Sequence, residues 1–554
     1  MSSEKVFILG LDGASPEVID SLIALGRLPT FAKMKKEGVM GKLRTTIPPI
    51  TGSAWSSFMT GKNPGKHGIF DFISRKEGTY HLMPINAQKR EGRSFWSWAG
   101  DTGKRVCIFH VPITYPPEKV NGMMVSGMLT PPNRTDYAYP GSLVKDLEQI
   151  IPGYRIHVTE AYSKGQEERF LKHLYEVTDH RIKAMEYLFK QEDWDLFVGV
   201  VEGIDNIQHE LWHCWDPDHF RYSSSGNRYS DAIPKYYEKM DDLLRRIMEE
   251  WIDSRWTLII MSDHGAGPLK KLLYLNNFLM TNGFMKLKRG FRPSIKHLFF
   301  RGGFVPMTFY HLLVRMGLGR IKKKTRFGQT ESWLRPFFLS FEDVDWNQTK
   351  AYSFGSTAGQ IYLNLKGREP RGIVSPGREA EAVKGEIIEE LKNLVDEETK
   401  EKVVGEIFRK EELYHGPHLG EAPDVIFLPR NFETVAFGEY EFASHRMIDD
   451  SWGVSGSHRM DGLLMMRGKL FKPGTMLQGA HIIDLAPSAL YLLGLPIPET
   501  MDGKVLEAAF LEKSIEEREI RFIEESAFQF HPQDIYSQGE EEALKKQLKG
   551  LGYL

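Results

Sequence analysis

Six residues of the kinds that bind metal ions recur at one kind of place along this 554-residue chain. Asp12 ends the apolar run 6–11. Asp205 and His209 follow the run 196–201, Asp263 and His264 follow 258–261, and His458 comes shortly before 463–466. Continuous apolar runs of this length read as strands of a parallel sheet buried on both faces. Sites in such sheets open beyond the carboxyl ends of the strands. Three carboxylates and three imidazoles suffice for two metal ions, and this donor mixture suits zinc, manganese or iron, whereas magnesium and calcium favour all-oxygen sites. Asp205 and His209 are spaced i, i+4, so one helical turn puts both on one face. Asp263 and His264 are adjacent and reach one site only on an irregular turn, for which Gly265-Ala266-Gly267 offers freedom. A lone Asp at a strand end is usually a cap or turn residue. Four such segments in one chain argue for a shared site.

The elements that must position these residues follow from periodicity. Strand-like runs alternate with helix-like segments through residue 265. Pro16 to Leu25 reads as a helix with Ser15 as N-cap. Phe170, Leu174, Val177, Met185 and Leu188 recur at helical spacing, and Asp231 to Trp251 is amphipathic. This alternation predicts an α/β fold with a layered α/β/α core around a mostly parallel central sheet. The pattern resumes near 346, with strands expected at 361–365 and 425–428 and helices at 379–395 and 481–493. The expected organisation is a core of residues 1–265 and 346–513, an inserted cap of 266–345, and a charged helical tail of 514–554.

The insertion differs in charge. Between His264 and Glu331 there is no Asp or Glu, but there are fourteen Lys and Arg, interleaved with aromatics such as Phe299, Phe300, Phe304, Phe309 and Tyr310. The whole-chain net charge of −2 conceals this. Such a stretch reads as a solvated face, as a binder of an extra phosphate, or, over 286–326, as a contact for anionic lipid. No nucleic-acid motif accompanies it, and no motif sets an oligomeric state. Two cysteines, Cys107 and Cys214, exclude a disulfide framework. With no membrane-spanning run and no secretory leader pattern, the chain reads as cytoplasmic.

A nucleophile belongs near the first carboxylate. In the stretch 45–55, Thr51-Gly52-Ser53 is where a loop would turn into a helix, and a helix N-terminus favours an anion. A threonine hydroxyl attacks poorly at neutral pH unless a metal lowers its pKa. Taken alone, Thr51 or Ser53 would read as an N-cap.

Residues 51–67, with Thr60-Gly61, Asn63-Pro64-Gly65 and His67-Gly68, resemble the nucleophile segment of the alkaline phosphatase superfamily, most of all its type I phosphodiesterase/nucleotide pyrophosphatase branch. Leu11-Asp12-Gly13, Asp205-x-x-x-His209, Ser262-Asp263-His264-Gly265 and Gly456-x-His458 agree in order and context, over about residues 5–500. The resemblance implies two divalent ions, zinc first and manganese second. Asp205, His209 and His458 would hold one, and Asp12, Asp263 and His264 the other beside Thr51. Three carboxylates and two divalent ions leave a surplus of +1, which attracts an anionic phosphate ester. Thr51 would attack in line to give a phospho-threonine that water cleaves.

One position departs from the branch. Its asparagine donor to a phosphoryl oxygen falls near Phe72 here. The expected activity is therefore cleavage of phosphodiester or nucleotide pyrophosphate bonds, with a phosphomonoesterase or phosphomutase as the alternative. A non-enzymatic alternative is a metal-stabilised protein that binds anions or lipid.

Overall fold

The computed structural model describes residues 4–160, 162–225, 227–305, 338–355, 357–438, 442–451, 453–525 and 535–550. Its backbone is a nine-stranded sheet. At the centre the Lys5–Leu11 strand pairs in parallel with Leu196–Val201 on one side and Trp256–Met261 on the other. Val106–Phe109 and Gly122–Val125 extend the first side in parallel, and Ala138–Tyr139 closes it antiparallel. On the other side Asp461–Arg467 lies antiparallel to Trp256–Met261 and to Val39–Arg44, and Thr475–His481 pairs in parallel with Val39–Arg44 at the edge. The fold is thus α/β with a mostly parallel central sheet.

The continuous apolar runs exist because both faces of this sheet are covered. Phe7, Leu9, Phe197, Leu258 and Ile260 join one core with the helices Pro16–Ala24, Glu167–Phe189, Gly203–Trp215 and Ala232–Arg246. The alternate residues Val6, Ile8, Val198, Val200 and Ile259 join another with Thr51–Thr60, Phe95–Asp101 and Leu485–Leu492. Successive strand residues point to opposite faces, so neither face can be polar. Several helix positions follow the expected periodicity, but His481 ends an edge strand and the helix begins only at Leu485, the helix expected to reach 395 is Arg378–Asn393, and the tail expected to be helical from 514 includes a short strand, Phe522–Ile523, before the helix Gln538–Gly550.

The strands expected at 361–365 and 425–428 form as Gly359–Leu363 and Val425–Pro429, in a separate antiparallel sheet with Ala351–Ser353 and Val404–Arg409. This sheet and the helix Arg378–Asn393 surround a further core. That core takes in Phe284, Met285, Phe300, Leu339 and Val344 from the expected insertion, Trp346 just beyond it, and Ile50, Ile69 and Phe72 from the segment around Thr51. Leu544 and Leu548 of the tail helix Gln538–Gly550 also pack into it. Arg315, Arg320, Lys322, Lys323, Lys324, Arg326, Phe309 and Tyr310 lie outside the described residues.

Gly10, in the central strand, is set by packing. A Cβ there would stand 2.5 Å from Cη2 of Trp55 and 3.0 Å from Cγ2 of Val200, and Trp55 is fully buried. Gly10→Ala is expected to destabilise the protein by ~1–3 kcal/mol through overpacking. The check is a denaturant titration, in which the midpoint falls while the m-value stays constant.

Candidate active site

The structure brings all six expected ligands and Thr51 to one edge of the sheet. Asp12 follows the central strand, and its backbone N–H donates to the Val201 carbonyl at 3.1 Å. Asp205 and His209 lie in the first two turns of Gly203–Trp215, entered directly from the strand Leu196–Val201. Asp263 and His264 follow the strand Trp256–Met261. His458 reaches the same edge for a different reason. Its neighbouring strand, Asp461–Arg467, is antiparallel, so the start of that strand lies beside the carboxyl ends of the others. The residues expected to form an irregular turn after His264 instead form a short strand, Gly265–Pro268, paired with Gly456–Arg459 so that Ala266 faces His458. Gly265 and Gly267 serve close packing there. A Cβ would meet the Asp461 carbonyl oxygen at 2.2 Å in the first and the Arg459 guanidinium at 2.4 Å in the second.

The ligand atoms converge in two groups. Oδ1 of Asp205 is 3.2 Å from Nε2 of His209 and 3.7 Å from Nε2 of His458, and these two nitrogens are 3.1 Å apart. Nε2 of His264 is 3.6 Å from Oδ1 of Asp12 and 3.4 Å from Oδ2 of Asp263. Ligand atoms of Asp12, Asp263 and His264 all lie within 4.8 Å of one another, as do those of Asp205, His264 and His458. His264 therefore stands between the two expected triads, its ring stacked on that of His458 at 3.6 Å.

The proton positions follow from the neighbours. Nδ1 of His209 faces the Gly456 carbonyl at 2.9 Å, Nδ1 of His264 the Gly265 carbonyl at 3.0 Å, and Nδ1 of His458 the Pro49 carbonyl at 2.7 Å. A nitrogen facing a carbonyl carries the proton, so each Nε2 presents its lone pair to the centre, as in metal-binding histidines generally. Asp12 is held by a hydrogen bond from the Trp55 indole N–H to Oδ2 at 3.1 Å, and Asp263 by one from the Gly13 N–H to Oδ1 at 3.2 Å. Oδ1 of Asp12 and Oδ2 of Asp263 are buried with no hydrogen-bond partner among the described residues. Two orphaned carboxylate oxygens beside converging imidazole lone pairs fit divalent cations.

The electrostatics point the same way. Burial, reinforced by the Asp263 and Asp205 carboxylates, pushes Asp12 well above the usual carboxylate range. Burial also raises Asp263, against the pull of His264. For Asp205 burial is outweighed by His209, which holds the carboxyl low, and Asp205 in turn raises His209 against the effect of its own burial. Burial, with His264 alongside, lowers His458.

Thr51 opens the helix Thr51–Thr60 and is fully buried. Its Oγ1 lies 3.2 Å from Nε2 of His264. Ser53, two residues on, is turned about 200° around the helix axis. Phe72 is fully buried in the apolar core beside Ile50.

Sequence reasoning missed the residues that hold the ligands. Trp55 had a signal, since it lies i+4 from Thr51 and so shares its helix face. Gln208 donates to the Gly13 carbonyl at 2.8 Å and accepts from the Tyr237 hydroxyl at 2.9 Å. Ser455 donates its backbone N–H to the His209 carbonyl at 2.6 Å. Gly13 has φ +69°, and a Cβ there would stand 2.9 Å from the Asp205 carboxylate.

The site is thus a buried carboxylate–imidazole centre at the carboxyl edge of a parallel sheet, with a threonine hydroxyl against it. Residues 6–442 match the Type I phosphodiesterase / nucleotide pyrophosphatase family. The chain belongs to this family of phosphoester hydrolases. Among solved structures it is similar to human ectonucleotide pyrophosphatase/phosphodiesterase 5, at 12% identity and a TM-score of 0.47 over 89% of this chain and 95% of that one. It is also similar to the murine form of that protein, inactive and in complex with AMP, at 12% identity and a TM-score of 0.47 over 89% and 95%. Phosphonoacetate hydrolase from Sinorhizobium meliloti 1021 matches at 13% identity and a TM-score of 0.49, over 89% and 96%. No curated protein matches the sequence.

Asp12→Asn and Asp205→Asn should each lower the metal content of the purified protein by one ion per chain, measured by elemental analysis. Chelation should lower stability by ~2.7 kcal/mol for each ion present at a hundredfold its Kd, measured as a fall in the denaturant midpoint that restored zinc or manganese reverses.

Proposed function

We propose that this chain is a two-metal phosphodiesterase that works through a phospho-threonine at Thr51. The observation that carries this reading is the position of Thr51. Its buried hydroxyl stands 3.2 Å from His264, the imidazole between the two ligand groups. Asp12, Asp263 and His264 would hold one divalent ion, and Asp205, His209 and His458 the other. Zinc fits this donor set best, and manganese also fits. When bound, the ions would lower the pKa of the nucleophile and stabilise charge on the attacking and leaving oxygens.

The chain's own residues do the rest. The Trp55 indole fixes Oδ2 of Asp12 and so aims Oδ1 into the centre. The first backbone N–H groups of the helix Thr51–Thr60 have no intrahelical partner and would be available to a bound phosphoryl group. In the first step Oγ1 of Thr51 bonds to phosphorus as the bond to the leaving oxygen breaks, and the hydroxyl proton passes through water to that leaving oxygen, which departs as an alcohol. In the second, a water oxygen bonds to phosphorus as the bond to Oγ1 breaks, one water proton returns to Oγ1, and the phosphate monoester is released. Both cysteines are free and buried, which supports placing this activity in the reducing cytoplasm.

A second reading, a phosphomonoesterase or phosphomutase, is favoured by one observation. Phe72, where the branch has an asparagine donor, lies in an apolar core. One experiment separates the two. The metal-loaded full chain should hydrolyse bis-p-nitrophenyl phosphate faster than p-nitrophenyl phosphate, and the reverse order would replace the first reading by the second. Thr51→Ala should lower kcat by ~10³–10⁶-fold with metal content unchanged. An undiminished rate would remove Thr51 as the nucleophile.

A further inference from the structure

The helix Phe291–Arg301 carries two faces of opposite fate. Its inner face is fixed to the body. Phe300 is buried against Phe442 at a ring-centroid distance of 5.9 Å, and Lys296 Nζ donates to Asp343 at 2.9 Å. Its outer face is apolar and open. Phe291 is 83% exposed and Leu298 68%, and Phe299 and the following Phe304 are also exposed. Phe291, Ile295 and Leu298 are spaced i, i+4, i+7, which makes one seam along the helix. At about 100° per residue, Arg292 lies to one side of this seam and Arg301 to the other.

The charge around the seam is of one sign. Residues 286–305 contain six Lys and Arg and no Asp or Glu. Lys296 is paired with Asp343, and Lys288 donates to the Glu342 carbonyl. Lys286, Arg289, Arg292 and Arg301 are exposed and form no salt bridge among the described residues. Among the described residues no helix is long and apolar enough to cross a membrane. The helix can therefore lie on a bilayer but not span one.

We propose that this face docks the protein peripherally on an anionic lipid bilayer, with Phe291 and Leu298 entering the headgroup–acyl boundary and Arg289, Arg292 and Arg301 contacting lipid phosphates. Charge complementarity and the apolar seam together favour this occupant. A nucleic acid or a soluble polyphosphate would use the arginines and leave the seam in water. A bilayer interface uses both, and an amphipathic helix flanked by cations is what such an interface selects. The proposal is independent of the chemistry at Thr51.

The test is co-sedimentation of the metal-loaded full chain with phosphatidylcholine vesicles, with and without phosphatidylglycerol. Binding is expected only with the anionic lipid, and high salt should weaken it. Each cation near the surface adds about fivefold to affinity, so Arg292→Glu/Arg301→Glu should lose at least about 25-fold. Phe291→Ser/Leu298→Ser should also lose binding, while its thermal melt and its turnover of a soluble diester stay unchanged. Thr51→Ala should bind vesicles as the parent does, which keeps failure of this proposal distinct from failure of the catalytic one. Equal binding to neutral vesicles, or binding untouched by either pair of substitutions, would overturn it. So would binding of soluble polyphosphate in place of vesicles, or a self-association in sedimentation velocity that Phe291→Ser/Leu298→Ser abolishes.

Discussion

Asp12, Asp205 and Asp263 are shut away from water at one edge of the sheet, and the rest of the molecule is organised around that burial. Moving an ionised carboxylate out of water costs several kcal/mol even after relaxation, unless it is paired and hydrogen-bonded. Asp12 and Asp263 each receive a hydrogen bond on one oxygen and keep the other orphaned among the described residues, and both are driven toward the protonated form. The imidazoles offer limited relief, because Nδ1 of each is committed to a backbone carbonyl. The protein spends folding energy to hold these groups together, a cost that a bound cation would offset. A cation held there would couple stability to occupancy of the site, as in metal sites built from deprotonated ligands.

Holding mutually repelling groups in place requires stiff attachments, and the sheet provides them. In-register parallel neighbours bring Leu11, Val201 and Met261 to one edge, so the residues that follow arrive together without long loops. One antiparallel strand, Asp461–Arg467, adds His458 from the opposite chain direction. The small ladder between Gly265–Pro268 and Gly456–Arg459 then fixes His264 and His458 ring on ring. Three glycines near this centre each admit something that a side chain would displace: the Asp205 carboxylate at Gly13, the Asp461 backbone at Gly265 and the Arg459 guanidinium at Gly267.

The features legible in the sequence were those written in short-range pattern. Apolar runs gave the strands, the i, i+4 spacing gave Asp205 and His209 a common face, and the turn into a helix marked Thr51. What escaped was decided by contacts between distant segments. No local period distinguishes the antiparallel strand beside His458 from its parallel neighbours, because both are buried on two faces. The structural roles of Gly265 and Gly267 depend on Asp461 and Arg459, almost two hundred residues away. Gln208 acts through a side-chain hydrogen bond to a backbone carbonyl, which many polar residues could make, and Ser455 through its backbone N–H, which any residue but proline offers. The separate sheet built from residues 351–429 alternates strand and helix just as the main one does, so its independence could not be read from composition.

The helix that carries Thr51 joins two of the cores. Ala54, Trp55, Phe58 and Met59 pack into the core beneath the main sheet, whereas Ile50, immediately before Thr51, packs into the second core with Phe72. Thr51 sits at the seam between them, so its Oγ1 is placed correctly only if both cores are formed and docked. A misplacement of about 1 Å can cost ~10²-fold in rate when reacting groups must be aligned. This gives segments far from the chemistry a stake in it. Leu544 and Leu548 of the C-terminal helix are fully buried in the second core, and the Tyr536 hydroxyl donates to the Leu129 carbonyl at 2.8 Å. The same logic accounts for Phe72. Its apolar side chain belongs to the same core as Ile50, the residue that precedes the first turn of the helix. Phe72 therefore serves the packing of the second core, on which the placement of Thr51 depends.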